Sequence, residues 1–193
     1  MSLRLLFIRH GAIVKPHGSL LGDLDLTLSC HGKIQMVHVA AGFKDIAHEI
    51  IAFGASNLER SVNSCQIIQQ ILAPHIAIHI DPRLREISLG VLDGLTKGEI
   101  QARWPKTYLM RGLQLDLLVP DGGESFRMLK RRVFFALQDL LLRYKDAKGI
   151  ICLVSHAGVM RVVLAHFMAL AIKDVFSLPI PYGASFVLPA KFM

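Results

Sequence analysis

A chain of 193 residues, 52% hydrophobic and 19% charged, holds enough apolar surface for one well-buried domain and lies outside the disordered range. Its formal net charge of +7 suits an anionic ligand. No stacked aromatics accompany the basic residues, and the densest cluster, Arg127, Lys130, Arg131 and Arg132, reads as a solvated helix face rather than a nucleic-acid surface. The longest early apolar run, residues 5–8, is too short for a membrane span or a signal-peptide core. Cys30, Cys65 and Cys152 make no CxxC pair, so the expectation is a cytoplasmic protein with reduced thiols and no membrane or nucleic-acid partner.

In chain order, residues 3–8 read as a buried opening strand. Ser29 is placed to cap a helix over 30–41, with Gly42 as its stop. Residues 50–55 form a second predicted strand, followed by a helix over 60–72 that Pro74 ends, and 76–80 a short third strand. The Gly- and Pro-rich stretch 83–120 reads as a lid-like insertion with one or two short helices. A long amphipathic helix over 124–145 follows, stopped by Gly149; then come a strand over 150–154, a helix over 158–170 and a last strand over 182–188. Alternating strands and helices without a linker or repeat predict a single α/β domain over 1–193, three-layered α/β/α with a mostly parallel central sheet.

In such sheets ligands lie beyond the carboxyl ends of the strands. Arg9-His10, the segment 56–60 and Ser155-His156 each follow a predicted strand, so two arginines and two histidines converge on one rim. That set fits phosphoryl transfer. Arginine forks bind phosphate oxygens, a neutral imidazole is a competent nucleophile near pH 7, and an acid must protonate the departing alkoxide. Glu86, between Leu84 and Ile87, is the candidate acid, with Glu99 and Glu124 as rivals. The remaining histidines, including His75 and His79 beside Pro74, are not read as metal ligands. No Walker or dinucleotide-binding glycine motif occurs.

Ile8-Arg9-His10-Gly11 resembles the signature of the histidine phosphatase (phosphoglycerate-mutase-like) superfamily. Ser56-Asn57-Leu58-Glu59-Arg60-Ser61 resembles its second-arginine motif, Leu84-Arg85-Glu86-Ile87 with Gly90 and Asp93-Gly94 its acid-bearing segment, Gly122-Gly123-Glu124-Ser125 a helix start, and Ser155-His156-Ala157-Gly158 its second-histidine motif. The segment 22–32 is similar to its approach to the first helix.

The resemblance implies that His10 attacks phosphorus, that Arg9, Arg60, His156 and Gly11 bind the phosphoryl group, and that Glu86 is acid and then base, with neither metal nor cofactor. The substrate class implied is a small phosphorylated metabolite. Late features such as Tyr182-Gly183 look most like α-ribazole-phosphate phosphatases. Phosphoglycerate mutase activity and a catalytically silent phospho-ligand-binding member are the alternatives; the compact insertion favours hydrolysis over mutase transfer. Two departures stand out: the loop after His10 carries Ala12, Ile13 and Pro16 where the family has polar residues, and Leu92 replaces a frequent tryptophan. Weaker phosphate contact from that loop is expected. Substrate choice is assigned to Trp104, Tyr108, Met110 and Arg111, and the apolar residues Phe126, Phe134, Phe135 and 140–142 suit either a core or a dimer face, so the chain is expected to be a monomer or homodimer.

Overall fold

The computed structural model of the chain describes residues 2–192. Five strands, β1 (Leu3–Arg9), β2 (Ile50–Ala55), β3 (Ile78–Ile80), β4 (Gly149–Ser155) and β5 (Ser185–Pro189), make one sheet in the order β3-β2-β4-β1-β5. Only β5, at the edge, runs antiparallel.

The apolar runs of β1 and β4 follow from burial on both faces. Side chains alternate across a strand, so Leu3, Leu5 and Phe7 join Ile151 and Leu153 in one core, while Leu6 and Ile8 join Ile150, Cys152 and Val154 in the other. Helices α1 (Cys30–Ala41) and α2 (Glu59–Leu72) cover the second face through Met36, Ala40, Cys65 and Ile68. Helices α5 (Phe126–Arg143) and α6 (Ala157–Phe167) cover the first through Leu129, Val133, Leu137, Val159 and Val163. The expected three-layer α/β/α fold is what forms. No helix among the described residues is long and apolar enough to cross a membrane.

Ser29 caps α1 as predicted, accepting from the Gly32 amide, and Gly42 ends it. Three ends differ from the sequence reading. Gly149 does not stop a helix: α5 ends at Arg143, and Gly149 opens β4 at φ 129°, where a β-carbon would lie 2.6 Å from the Glu49 carbonyl. α6 stops at Phe167 because Ala169 turns left-handed (φ 55°), with the Leu170 amide bonding back to the Ala165 carbonyl. The last strand starts at Ser185, since Tyr182-Gly183 is a turn. On α5, Phe126 is buried and Phe134 packs on the core, whereas Phe135 and Leu142 are exposed.

Within 83–120, two short helices form, α3 (Lys97–Arg103) and α4 (Pro105–Leu113). Thr96 and Glu99 form a reciprocal cap at the start of α3, which occupies the Glu99 carboxylate. The first part of the segment is not lid: Leu84, Ile87, Leu89 and Leu92 are buried in the core. The side chain of Arg111 lies outside the described residues.

Candidate active site

Strand ends bring the predicted residues together. β1 delivers Arg9 and His10, β4 delivers His156, and the turn after β2 leads into Arg60 on the first turn of α2. The His10 amide donates to the Ser155 carbonyl at 3.0 Å, so the last rung of the β1–β4 ladder sets the two histidines side by side, ring centroids 5.1 Å apart. His10, Arg60 and His156 are each at most 3% exposed.

The His10 ring has a fixed tautomer. Its Nδ1 lies 2.8 Å from the Gly11 carbonyl, which can only accept, so the proton sits on Nδ1 and the Nε2 lone pair is free. Burial, then Arg60, then Arg9 push its pKa down to about 3, which keeps the imidazole neutral. Gly11 is tight for a reason: a β-carbon there would lie 2.4 Å from the Gly32 carbonyl. Its own amide donates to Ser64 Oγ at 3.1 Å, so Gly11 acts as support for His10 rather than through a free amide.

His156 is wholly buried, and burial, with His10, Arg60 and Arg9, holds its pKa well below the ordinary value. Ser56 Oγ lies 2.7 Å from Nε2 and accepts from the Leu58 amide, which leaves its hydroxyl proton for Nε2. The ring proton then belongs on Nδ1, a buried atom with no partner. An unpaired buried donor is expensive, and this one belongs to the ring packed beside His10.

Arg60 is held from behind by the Leu24 and Gly22 carbonyls. That loop is itself fixed by Asp93, whose carboxylate accepts from the Gly22 amide at 2.8 Å and the Leu24 amide at 3.2 Å. Arg9 donates to the Ile180 carbonyl and stacks 4.0 Å from the Tyr182 ring, while its Nε is buried without a partner. Glu86, 8% exposed, accepts from the Ile87 amide and from the Gly158 amide at 3.0–3.1 Å. The start of α6 thus carries the carboxylate, and the missing side chain of Gly158 leaves it room: a β-carbon there would meet Glu86 Oε1 at 2.2 Å and push the carboxylate aside. Neutral imidazoles, two guanidiniums, an orphan N–H and one carboxylate gathered at the strand ends make a receptor for a tetrahedral oxyanion beside a nucleophile.

Residues 5–190 match the model of the histidine phosphatase superfamily (branch 1). The chain belongs to that superfamily. It is 28% identical over 161 residues to the metal-independent phosphoserine phosphatase of Arabidopsis thaliana, covering 82% of this chain and 66% of that one. It is 30% identical over 159 residues to phosphoglycerate mutase-like protein 4 of the same plant, covering 81% and 67%. The chain therefore spans about two thirds of the length of these curated relatives. The α-ribazole phosphatase of Shigella flexneri shares the fold, with a TM-score of 0.80 at 20% identity over 95% of this chain and 89% of that one. Phosphatases stand among the relatives of this histidine phosphatase chain, and its mostly parallel five-stranded sheet is that of the phosphoglycerate-mutase-like fold.

Several supporting residues of this histidine phosphatase site went unread in the sequence. Tyr182 stacks on Arg9 and lies 5.5 Å, centroid to centroid, from His10. Gln35 ties the Ala12 amide to the Tyr182 carbonyl, pinning the loop after His10 although Ala12 and Ile13 offer no polar side chain. Arg132, grouped with a solvated helix face, is instead a clamp: it pairs with Glu124 and donates to the Arg83, Arg85 and Glu86 carbonyls at 2.7–2.9 Å. Glu124 is thereby occupied as well. The amides of Gly123 and Glu124 bond to the Pro120 and Ser88 carbonyls, so the double glycine packs a turn.

Proposed function

We propose that the protein hydrolyses small phosphomonoesters through a phosphohistidine on His10. The observation that carries this reading is the free Nε2 of a neutral, buried His10, its other nitrogen tied to Gly11, beside the unpartnered Nδ1 of His156 and the guanidiniums of Arg9 and Arg60. In the first step the Nε2 lone pair bonds to phosphorus as the ester P–O bond breaks, and the leaving alkoxide takes the proton of Glu86. In the second, water bonds to phosphorus as the P–N bond breaks, and its proton passes to Glu86. Arg9, Arg60 and His156 hold the phosphoryl oxygens as their charge spreads, so the chemistry runs on side chains without metal or cofactor.

The test uses a radiolabelled phosphomonoester with chelator present, denaturing quench and detection of acid-labile, base-stable label on the protein. Label and turnover in the wild type, both lost in His10→Ala, are expected. Metal-dependent turnover, or label that persists in His10→Ala, overturns the mechanism. Transfer of label to a second phosphoglycerate in preference to water would make the enzyme a mutase. Substrates to try first are phosphoserine, 3-phosphoglycerate and α-ribazole 5′-phosphate.

A further inference from the structure

Residues 178–181, Leu-Pro-Ile-Pro, lead into the Tyr182 turn and form a strap beside the active-site Arg9. A residue before proline is driven to extended backbone, and Leu178 adopts φ −85°, ψ 108°. The two prolines bring no amide to the strap, and two of its carbonyls are taken by arginines: Arg9 donates to Ile180 and the Nε of Arg161 donates to Leu178. Carbonyls two residues apart on such a segment are about 6 Å apart, which sets the spacing of the two guanidiniums along it.

Arg161 lies on α6 one turn beyond Gly158, and residues three apart share a helix face. That face is the one whose Gly158 amide holds Glu86. The charges sense one another: burial lowers the Arg161 pKa against the pull of Glu86, and Arg161 adds to the burial that lowers the pKa of Arg9. Yet Arg161 makes no ion pair among the described residues. Its guanidinium rests 5.3 Å from the Phe176 ring, and no hydrogen bond among the described residues engages its terminal nitrogens. A half-buried arginine oriented by a carbonyl and an aromatic face, its fork unused, is set up to bind a planar or tetrahedral anion.

We propose that Arg161 binds a second anionic group, a carboxylate or phosphate, on the alcohol that leaves through Glu86. This rests on the hydrolase reading above and narrows its substrate class to phosphomonoesters of short acidic alcohols. A nucleoside-like alcohol without a second anion leaves the fork empty, which ranks α-ribazole 5′-phosphate below an acidic ester.

The matched probes are 3-phosphoglycerate and glycerol 3-phosphate, which differ by a carboxylate in place of a hydroxymethyl. The wild type is expected to favour the carboxylated ester in kcat/KM by about 10- to 100-fold, the worth of one charge-assisted fork. Arg161→Gln should erase that ratio chiefly through KM, and Arg161→Lys should restore part of it. Equal use of the two esters by the wild type, or a preference that survives Arg161→Gln, overturns the assignment and leaves the phosphohistidine mechanism standing. Should neither ester turn over, the hydrolase reading is decided by the labelling test above, and calorimetric binding of the same pair decides on Arg161 by the same ratio.

Discussion

His10 pairs its function with a stability penalty. Its pKa is about 3 in the folded protein against about 6.5 in the unfolded chain, so between those values the unfolded state binds more protons and stability falls as pH falls. Above pH 6.5 the group contributes nothing. At pH 5 the deficit is about 2 kcal/mol for this one residue. Replacing His10 by Gln should therefore flatten the loss of denaturant-unfolding free energy between pH 7 and pH 5 by about that amount; an identical slope in both proteins would contradict the buried neutral imidazole. Gly158 makes an opposite separation of stability from activity. Gly158→Ala adds helix propensity worth up to about 1 kcal/mol but forces the Glu86 carboxylate off the Gly158 amide. Turnover of a poor-leaving-group ester should drop about 100-fold while the melting temperature shifts little. Unimpaired turnover would show that Glu86 acts without that anchor.

At the scale of elements, β1, β2 and β4 were legible because burial on both sheet faces writes unbroken apolar runs, and the start of α1 because its cap is written as Ser29. Helix ends were less legible where the stop had no sequence mark. Ala169 takes a left-handed conformation usually left to glycine, so nothing in residues 158–170 announced that α6 ends at Phe167. Ala169→Gly should stabilise the protein by about 1 kcal/mol, read by chemical denaturation; a loss would mean that the left-handed turn is not what ends α6. Arg132 went unread for a different reason: its neighbours on α5 are solvated, and only the folded chain shows three carbonyls of the Glu86 segment meeting one guanidinium. Arg132→Ala should lose about 2 kcal/mol and depress kcat more than KM, while Arg131→Ala, on the exposed side of the same helix, stays within about 0.5 kcal/mol. Equal effects from the two would return Arg132 to the solvated face.

For the whole molecule, the convergence of Arg9, His10, Arg60 and His156 was readable because each follows a strand in a parallel sheet, and the topology then fixes a common rim. Tyr182, Gln35 and Arg161 could not be read that way, since they meet the rim through a strap and helix faces whose paths depend on packing. The same two-faced packing makes a prediction about the thiols. Cys30 is exposed on α1, whereas Cys65 and Cys152 are buried in the core between the sheet and α1–α2. Burial pushes Cys65 up to about 12 and Cys152 well above its ordinary value, so both are withheld from thiolate chemistry. Native protein should give one fast equivalent with a disulfide reagent and three in denaturant. Because β4 contributes to both cores, the slow pair should become reactive together, at a rate that tracks global unfolding as denaturant is added. Fast labelling of Cys65 or Cys152 in native protein would instead mean that the α1–α2 layer opens on its own, separating from the sheet while the α5–α6 side stays closed.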